Sequence, residues 1–232
     1  MNVQVMTDIL AGNDRVAGEN RELFRRQGVY VLNLLGSPGA GKTMLLEQTI
    51  SRLKDVINMV VIEGDLYTQK DAERIARHGV PAVQINTDGG CHLDAAMIAQ
   101  TLERMDLTGV ELLIVENVGN LVCPAEFDVG EDEKAVVLSI TEGADKPLKY
   151  PLPFRQAAAT VLNKIDLLPF TDVDLTAVQT DIVSLNRDIR IFAVSCRSGE
   201  GVESWCDWLQ EQVKGKQNHA GKIGNRKMEE TR

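Results

Sequence analysis

The sequence predicts an α/β fold of three layers, with a mostly parallel β-sheet covered by helices on both faces. Three observations predict it. Continuous apolar runs recur at residues 29–35, 59–62, 82–85, 112–115, 135–140, 160–162 and 191–194. Stretches of helical spacing separate most of them, at 44–55, 71–78, 93–105, 175–185 and 202–213. A strand that is apolar along its whole length has both faces buried, as in a parallel sheet between helices. The third observation is a glycine-rich turn, residues 36–43, between the first run and the first helical stretch.

Taken in order, residues 1–28 read as an N-terminal helical extension, with a polar helix starting at Asn13 or Asp14 as its cap. Residues 29–213 form one domain, and 143–153, with Pro147, Pro151 and Pro153, is its longest irregular loop. Residues 214–232 lack apolar periodicity and are expected to be a disordered basic tail. That tail holds six Lys/Arg and two Asp/Glu, so the body is more acidic than the chain's net charge of −9. An acidic body argues against nucleic-acid binding, which needs basic surface. No run approaches the ~20 apolar residues of a membrane span. The first residues show no basic segment leading into an apolar core, so the expected location is the cytoplasm, away from membranes. The four cysteines would then be reduced thiols, and Cys196 and Cys206 read as structural.

Gly36-Ser37-Pro38-Gly39-Ala40-Gly41-Lys42-Thr43 is a complete phosphate-binding loop, Gly-x4-Gly-Lys-Thr, in its proper strand–loop–helix setting. The fold class is therefore that of a three-layer P-loop NTPase. Backbone N–H groups from Gly36, Ser37, Gly39, Ala40 and Gly41 would wrap the phosphates at a positive helix N-terminus. Lys42 would reach the β- and γ-phosphates, and the Thr43 hydroxyl would ligate Mg²⁺. Asn163-Lys164-Ile165-Asp166 follows the sixth apolar run and resembles the guanine-specificity motif of GTPases. The Asp166 carboxylate accepts from both N1–H and the exocyclic amine of guanine. Adenine would leave it unpaired, at a cost of roughly a few kcal/mol. Ser195-Cys196-Arg197 ends the last run, where GTPases usually carry Ser-Ala-Lys and a backbone N–H that touches guanine O6. The nucleotides expected are GTP and GDP.

Two further segments suit the γ-phosphate. Asp65 and Asp71 follow the second run; one would hold Mg²⁺ and the other orient the attacking water, in either assignment. Asp71 also suits a helix N-cap. The fourth run ends in Glu116-Asn117-Val118-Gly119, where GTPases usually show Asp-x-x-Gly. Glu116 still reaches Mg²⁺, and Gly119 lets a backbone N–H approach the γ-phosphate. No arginine suited to the transition state stands out near these segments, so slow hydrolysis is expected.

Cys91-His92 and Cys123 leave the carboxyl ends of neighbouring runs and can converge on that same edge. Two thiolates and an imidazole suit Ni²⁺ or Zn²⁺. One chain offers three such ligands, and a symmetric dimer would complete a shell of four. The competing readings are packed thiols and a His92 that caps the next helix.

Glu63-Gly64-Asp65-Leu66-Tyr67-Thr68, Gly89-Gly90-Cys91-His92-Leu93-Asp94, Glu116 through Pro124, and the segment from Glu142 to Pro151 together resemble the nickel-incorporation GTPases of hydrogenase maturation. The resemblance runs from about Asn13 to Val213. It implies slow GTP hydrolysis, a homodimer with GTP, and nickel passed on with a maturation partner protein to the large subunit of nickel–iron hydrogenase. It also implies Cys91, His92 and Cys123 as the metal ligands. Some members carry an N-terminal Cys-x-x-Cys-Gly-Cys site or a histidine-rich stretch. Residues 1–30 hold no Cys and no His, so no tight nickel store is expected there. The related urease nickel-insertion GTPases tend to show Cys-Pro-His, and the chaperones of cobalamin-dependent mutases lack this set. A regulatory GTPase without a metal role and an ATP-using enzyme are the remaining alternatives; Asn163-Lys164-x-Asp166 speaks against the latter.

Overall fold

The computed structural model describes residues 5–66 and 70–229. Among them, seven strands form one sheet: β1 Tyr30–Leu35, β2 Met59–Asp65, β3 Ala82–Asn86, β4 Leu112–Glu116, β5 Glu133–Ser139, β6 Ala159–Asn163 and β7 Arg190–Val194. The order is β3-β2-β4-β1-β5-β6-β7, and every pairing is parallel. All seven expected runs are strands. The order in which the strands are laid down reverses at β1, so the loops leaving β1, β2, β4 and β6 gather at one edge, where such sheets bind ligands.

β1 shows how the layers are made. Leu32 and Leu34 face one side and Val31 and Leu35 the other, all buried. On the first side lie α2 Lys42–Leu53 and α9 Val202–Glu229. Leu45, Leu46, Thr49, Ile50 and Leu53 make the buried stripe of α2, and Val202, Trp205, Cys206, Leu209 and Val213 that of α9. Trp205 locks the two together: its Nε1–H donates to Thr49 Oγ1 at 3.0 Å, and it packs against Trp208 and Phe192. Trp205→Ala should therefore cost about 3–5 kcal/mol by opening a cavity under the sheet. Denaturant unfolding reads this directly, and an unchanged midpoint would show that α9 is not part of the cooperative core.

The opposite side is covered by α1 Val5–Gln27 and α4 Ala95–Leu102 over β2 and β4, and by α7 Pro151–Gln156 and α8 Leu175–Leu185 over β5 and β6. The helix α1 starts earlier than expected, since no proline interrupts it. Asn13 does not cap it. Its side chain bridges instead, accepting from Ala95 N–H at 2.9 Å and donating to the Asp128 carbonyl at 2.8 Å. Buried Asn20 repeats this, donating to the carbonyls of Ala95 and Val129. The extension is thus docked on the domain.

Two other expectations are corrected. The stretch 143–153 holds two short helices, α6 Lys146–Lys149 and the start of α7, each with a proline in its first turn, where proline suits a helix. A further short helix, α5 Cys123–Glu126, uses Pro124 in the same way. The basic tail continues α9 to Glu229, as its Lys/Arg-rich, proline-free sequence allows. Lys216 pairs with Asp132, and Gln217 with Glu111, which holds the next turns against the domain. The remaining helix, α3, spans Lys70–Ala76. No helix among the described residues is long and apolar enough to cross a membrane.

Candidate functional site

The loops leaving β1, β2, β4 and β6 enclose a cavity of about 680 Å³. The phosphate loop forms its floor. Gly41 has φ 98°, and a Cβ there would meet Asn163 Nδ2 at 2.3 Å, so no other residue fits. Asn163 Nδ2 donates to the Ala40 carbonyl at 2.9 Å, and Lys164 Nζ to that of Gly39 at 2.6 Å. The base motif is therefore stitched to the phosphate loop. Ser195 Oγ donates to Asp166 Oδ1 at 2.6 Å, which fixes that half-buried carboxylate. Asn163 Oδ1 accepts from Cys196 N–H at 3.2 Å. Burial pushes the Cys196 thiol up to about 12, so it stays neutral beside the cavity.

Lys42 is buried, and its Nζ donates to the carbonyls of Gly36 and Ser37 at 3.1 and 3.4 Å. Burial lowers its pKa, while Glu116 and other carboxylates oppose that shift. Thr43 Oγ1 donates to Glu116 Oε1 at 2.8 Å. Glu116 Oε2 and Glu63 Oε2 are buried without a hydrogen-bond partner. Burial raises Glu63 to about 8, with Glu116, Asp65 and Asp71 adding to it; burial raises Glu116 to about 7. Two buried carboxyls with orphaned oxygens beside a threonine hydroxyl fit a hard divalent cation such as Mg²⁺. Asp71 lies in the first turn of α3 and pairs with Arg74 at 2.9 Å. Residues 67–69, between the two aspartates, lie outside the described residues.

The raised carboxyls give a testable pH dependence. Folded Glu63 keeps its proton between the ordinary value of 4.5 and about 8, where the unfolded chain has lost it. Its contribution to stability is full at low pH, falls through that window and levels off above it. Glu63→Gln should flatten this fall in thermal melts of metal-free protein. Parallel melting curves for variant and wild type would show that Glu63 does not titrate there.

Sequence reasoning passed over three of these groups. Glu63 stands just past the apolar run 59–62 and was given no role; β2 extends to Asp65, and only the burial of Glu63 reveals it. Asn117 is equally buried. Arg74, given no role in the sequence, lines the cavity near the switch segments, held by Glu47 at 2.7 and 3.0 Å and by Asp71. Its position on α3, one turn after Asp71, was the available signal.

The thiols and imidazole are neighbours at the same edge. Cys91 Sγ is 3.5 Å from His92 Nδ1. The Cys123 thiol lies beside that of Cys91, both free, and with burial raises the Cys91 pKa. Burial lowers the pKa of half-buried His92, whose ring stacks on Phe127 at 3.8 Å. His92 does not cap the next helix; Asp94 does, accepting from Met97 N–H at 2.8 Å. Cys91 thus touches both partners, yet among the described residues no three His, Cys, Asp or Glu side chains surround one point as a ready metal site.

Residues 30–193 match the CobW/HypB/UreG nucleotide-binding domain. The hydrogenase maturation factor HypB of Azotobacter chroococcum is 51% identical over 210 residues, 90% of this chain and 69% of that protein. The chain belongs to the HypB family. Two solved HypB structures share its fold. That from Archaeoglobus fulgidus superposes with a TM-score of 0.83 at 38% identity, covering 88% of this chain and all of that one. That from Helicobacter pylori, in complex with nickel, gives the same score and identity over 88% and 96%. Like its HypB relatives, the chain is a hydrogenase maturation factor with a GTPase domain.

Proposed function

We propose that the chain is a metallochaperone in the cytoplasm, whose GTP state controls a nickel or zinc site made by Cys91, His92 and Cys123. The carrying observation is the approach of Cys91 to both Cys123 and His92, while the β4 loop that leads to Cys123 borders the nucleotide cavity through Val118 and Gly119. The nickel complex of the Helicobacter pylori relative supports the reading. Cys123 lies shortly after Gly119, so a movement of Gly119 toward the γ-phosphate moves a metal ligand with it.

In the GTP reaction, the loop N–H groups and Lys42 hold the phosphates, and Asp166 selects guanine. Asp65 or Asp71 orients the attacking water. Thr43, Glu116 and these aspartates would hold Mg²⁺, which when bound neutralises developing phosphate charge. Turnover is slow, since Arg74 is tied to two carboxylates. With GTP the protein forms a homodimer, and two sets of Cys91, His92 and Cys123 complete one shell. Nickel then passes, with a maturation partner, to the hydrogenase large subunit.

Cys91→Ala and Cys123→Ala should each lose most nickel and zinc binding in titrations while keeping GTP binding. Wild type should bind more weakly as pH falls below the free thiol value of ~8.5, because the metal displaces protons. Variants that bind metal like wild type would return both thiols to a packing role. Sedimentation with GDP and with a GTP analogue tests the dimer; equal coefficients would remove it.

A further inference from the structure

Cys123 follows the γ-phosphate segment directly, whereas Cys91 and His92 leave a different strand, β3. A physical link joins the two. Asn117, 1% exposed, directly follows β4 between Glu116 and the Val118–Gly119 switch. Its Oδ1 accepts from Leu93 N–H at 2.9 Å and from Val118 N–H at 3.0 Å. Its Nδ2 donates to Asn33 Oδ1 on β1 at 3.2 Å. One amide side chain therefore ties the strand of the phosphate loop, the γ-phosphate switch and the residue next to His92.

Leu93 is also wedged from the other side. It is fully buried, and a Cβ added at Gly64, one residue before Asp65, would lie 2.8 Å from its side chain. The approach to Cys91 hangs from the same strand end. Thr87 N–H donates to the Asp65 carbonyl at 3.0 Å, and Thr87 Oγ1 to the Gly90 carbonyl at 2.7 Å. On the exposed side, Asn120 Nδ2 donates to the Cys91 carbonyl at 3.5 Å, and Asn120 is bridged to Gly36 of the phosphate loop. The Cys91–His92 loop thus touches both switch segments, but Asn117 supplies its buried hydrogen bond. A buried N–H left without its acceptor is costly, so Leu93 is held to follow Asn117.

We infer that Asn117 is the positioning residue that makes the Cys91–His92 half of the metal site respond to the nucleotide. This rests on the nickel reading above. A shift of Val118 and Gly119 toward the γ-phosphate carries Asn117 with it. Leu93 follows through its N–H, and His92 and Cys91 follow Leu93. The two halves of the ligand set then move together, although they stand on separate strands.

The test is a Ni²⁺ titration of full-length wild type, Asn117→Ala and Asn117→Asp, each with GDP and with a GTP analogue. Wild type should show affinities that differ between the two states by roughly 5–150-fold. Asn117→Ala should still bind Ni²⁺, with that ratio within about twofold of one. Asn117→Asp, whose carboxylate still accepts from Leu93 and Val118, should keep most of it. Hydrogen exchange at the Leu93 amide of metal-free wild type gives a readout that needs no variant, and its protection should differ between the two nucleotides. A wild-type protein that binds Ni²⁺ equally in both states overturns the nickel-switch reading and the link with it. A full wild-type ratio in Asn117→Ala, or equal Leu93 protection in both states, overturns the link alone.

Discussion

Lys42→Ala is expected to lower GTP turnover by about a hundredfold or more while the circular dichroism spectrum stays native. Lys42 is buried at the floor of the cavity, already stripped of water, and faced by Glu116 and Glu63. A desolvated ammonium is far more effective against developing phosphate charge than one in water. Alanine removes that charge and leaves the acidic cluster to repel the γ-phosphate. The fold should survive, because Asn163 and Lys164 hold the loop carbonyls of Ala40 and Gly39 independently. Retained turnover in a phosphate-release assay would show that Lys42 does not act on the phosphates.

Asp166→Asn should weaken GTP binding by about a hundredfold or more and improve binding of XTP. Two hydrogen bonds to a charged acceptor are at stake, each worth roughly 1.5–3 kcal/mol. The asparagine amide donates where the carboxylate accepted, which suits the 2-oxo group of xanthine. Ser195 Oγ holds the side chain at 2.6 Å and can still donate to the amide oxygen, so the geometry should persist. Competition binding with GTP, XTP and ATP reads the change. Wild type that binds ATP as tightly as GTP would refute the role of Asp166.

The sheet was legible because its strands are apolar throughout, and the phosphate loop because its residues need one particular backbone. Gly41 illustrates the second case: its φ of 98° and the close Asn163 leave room for glycine alone. Less legible was whatever depends on a partner distant in sequence. Asn13 reads as a cap by local rules, but its acceptor and donor lie on Ala95 and Asp128. Glu63 reads as the first residue after an apolar run until Glu116 is found beside it. Arg74 carries no role in the sequence until Glu47 and Asp71 are found holding it at the cavity. In the stretch 143–153 the prolines suggested an irregular loop, although proline in the first turn starts helices as readily as it ends them. The thiol site lies between these cases. Its residues and their common edge were readable, whereas the stacking of His92 on Phe127 was not.

The account's central claim is that nickel binds at Cys91, His92 and Cys123 under the control of the γ-phosphate. A crystal structure with Mg²⁺, a GTP analogue and Ni²⁺, with anomalous data on both sides of the nickel edge, tests it most directly. The account predicts one nickel peak within bonding distance of the Cys91 and Cys123 sulfurs and the His92 ring, shared between two chains. A nickel peak elsewhere, with Cys91 and Cys123 packed as free thiols, would contradict it.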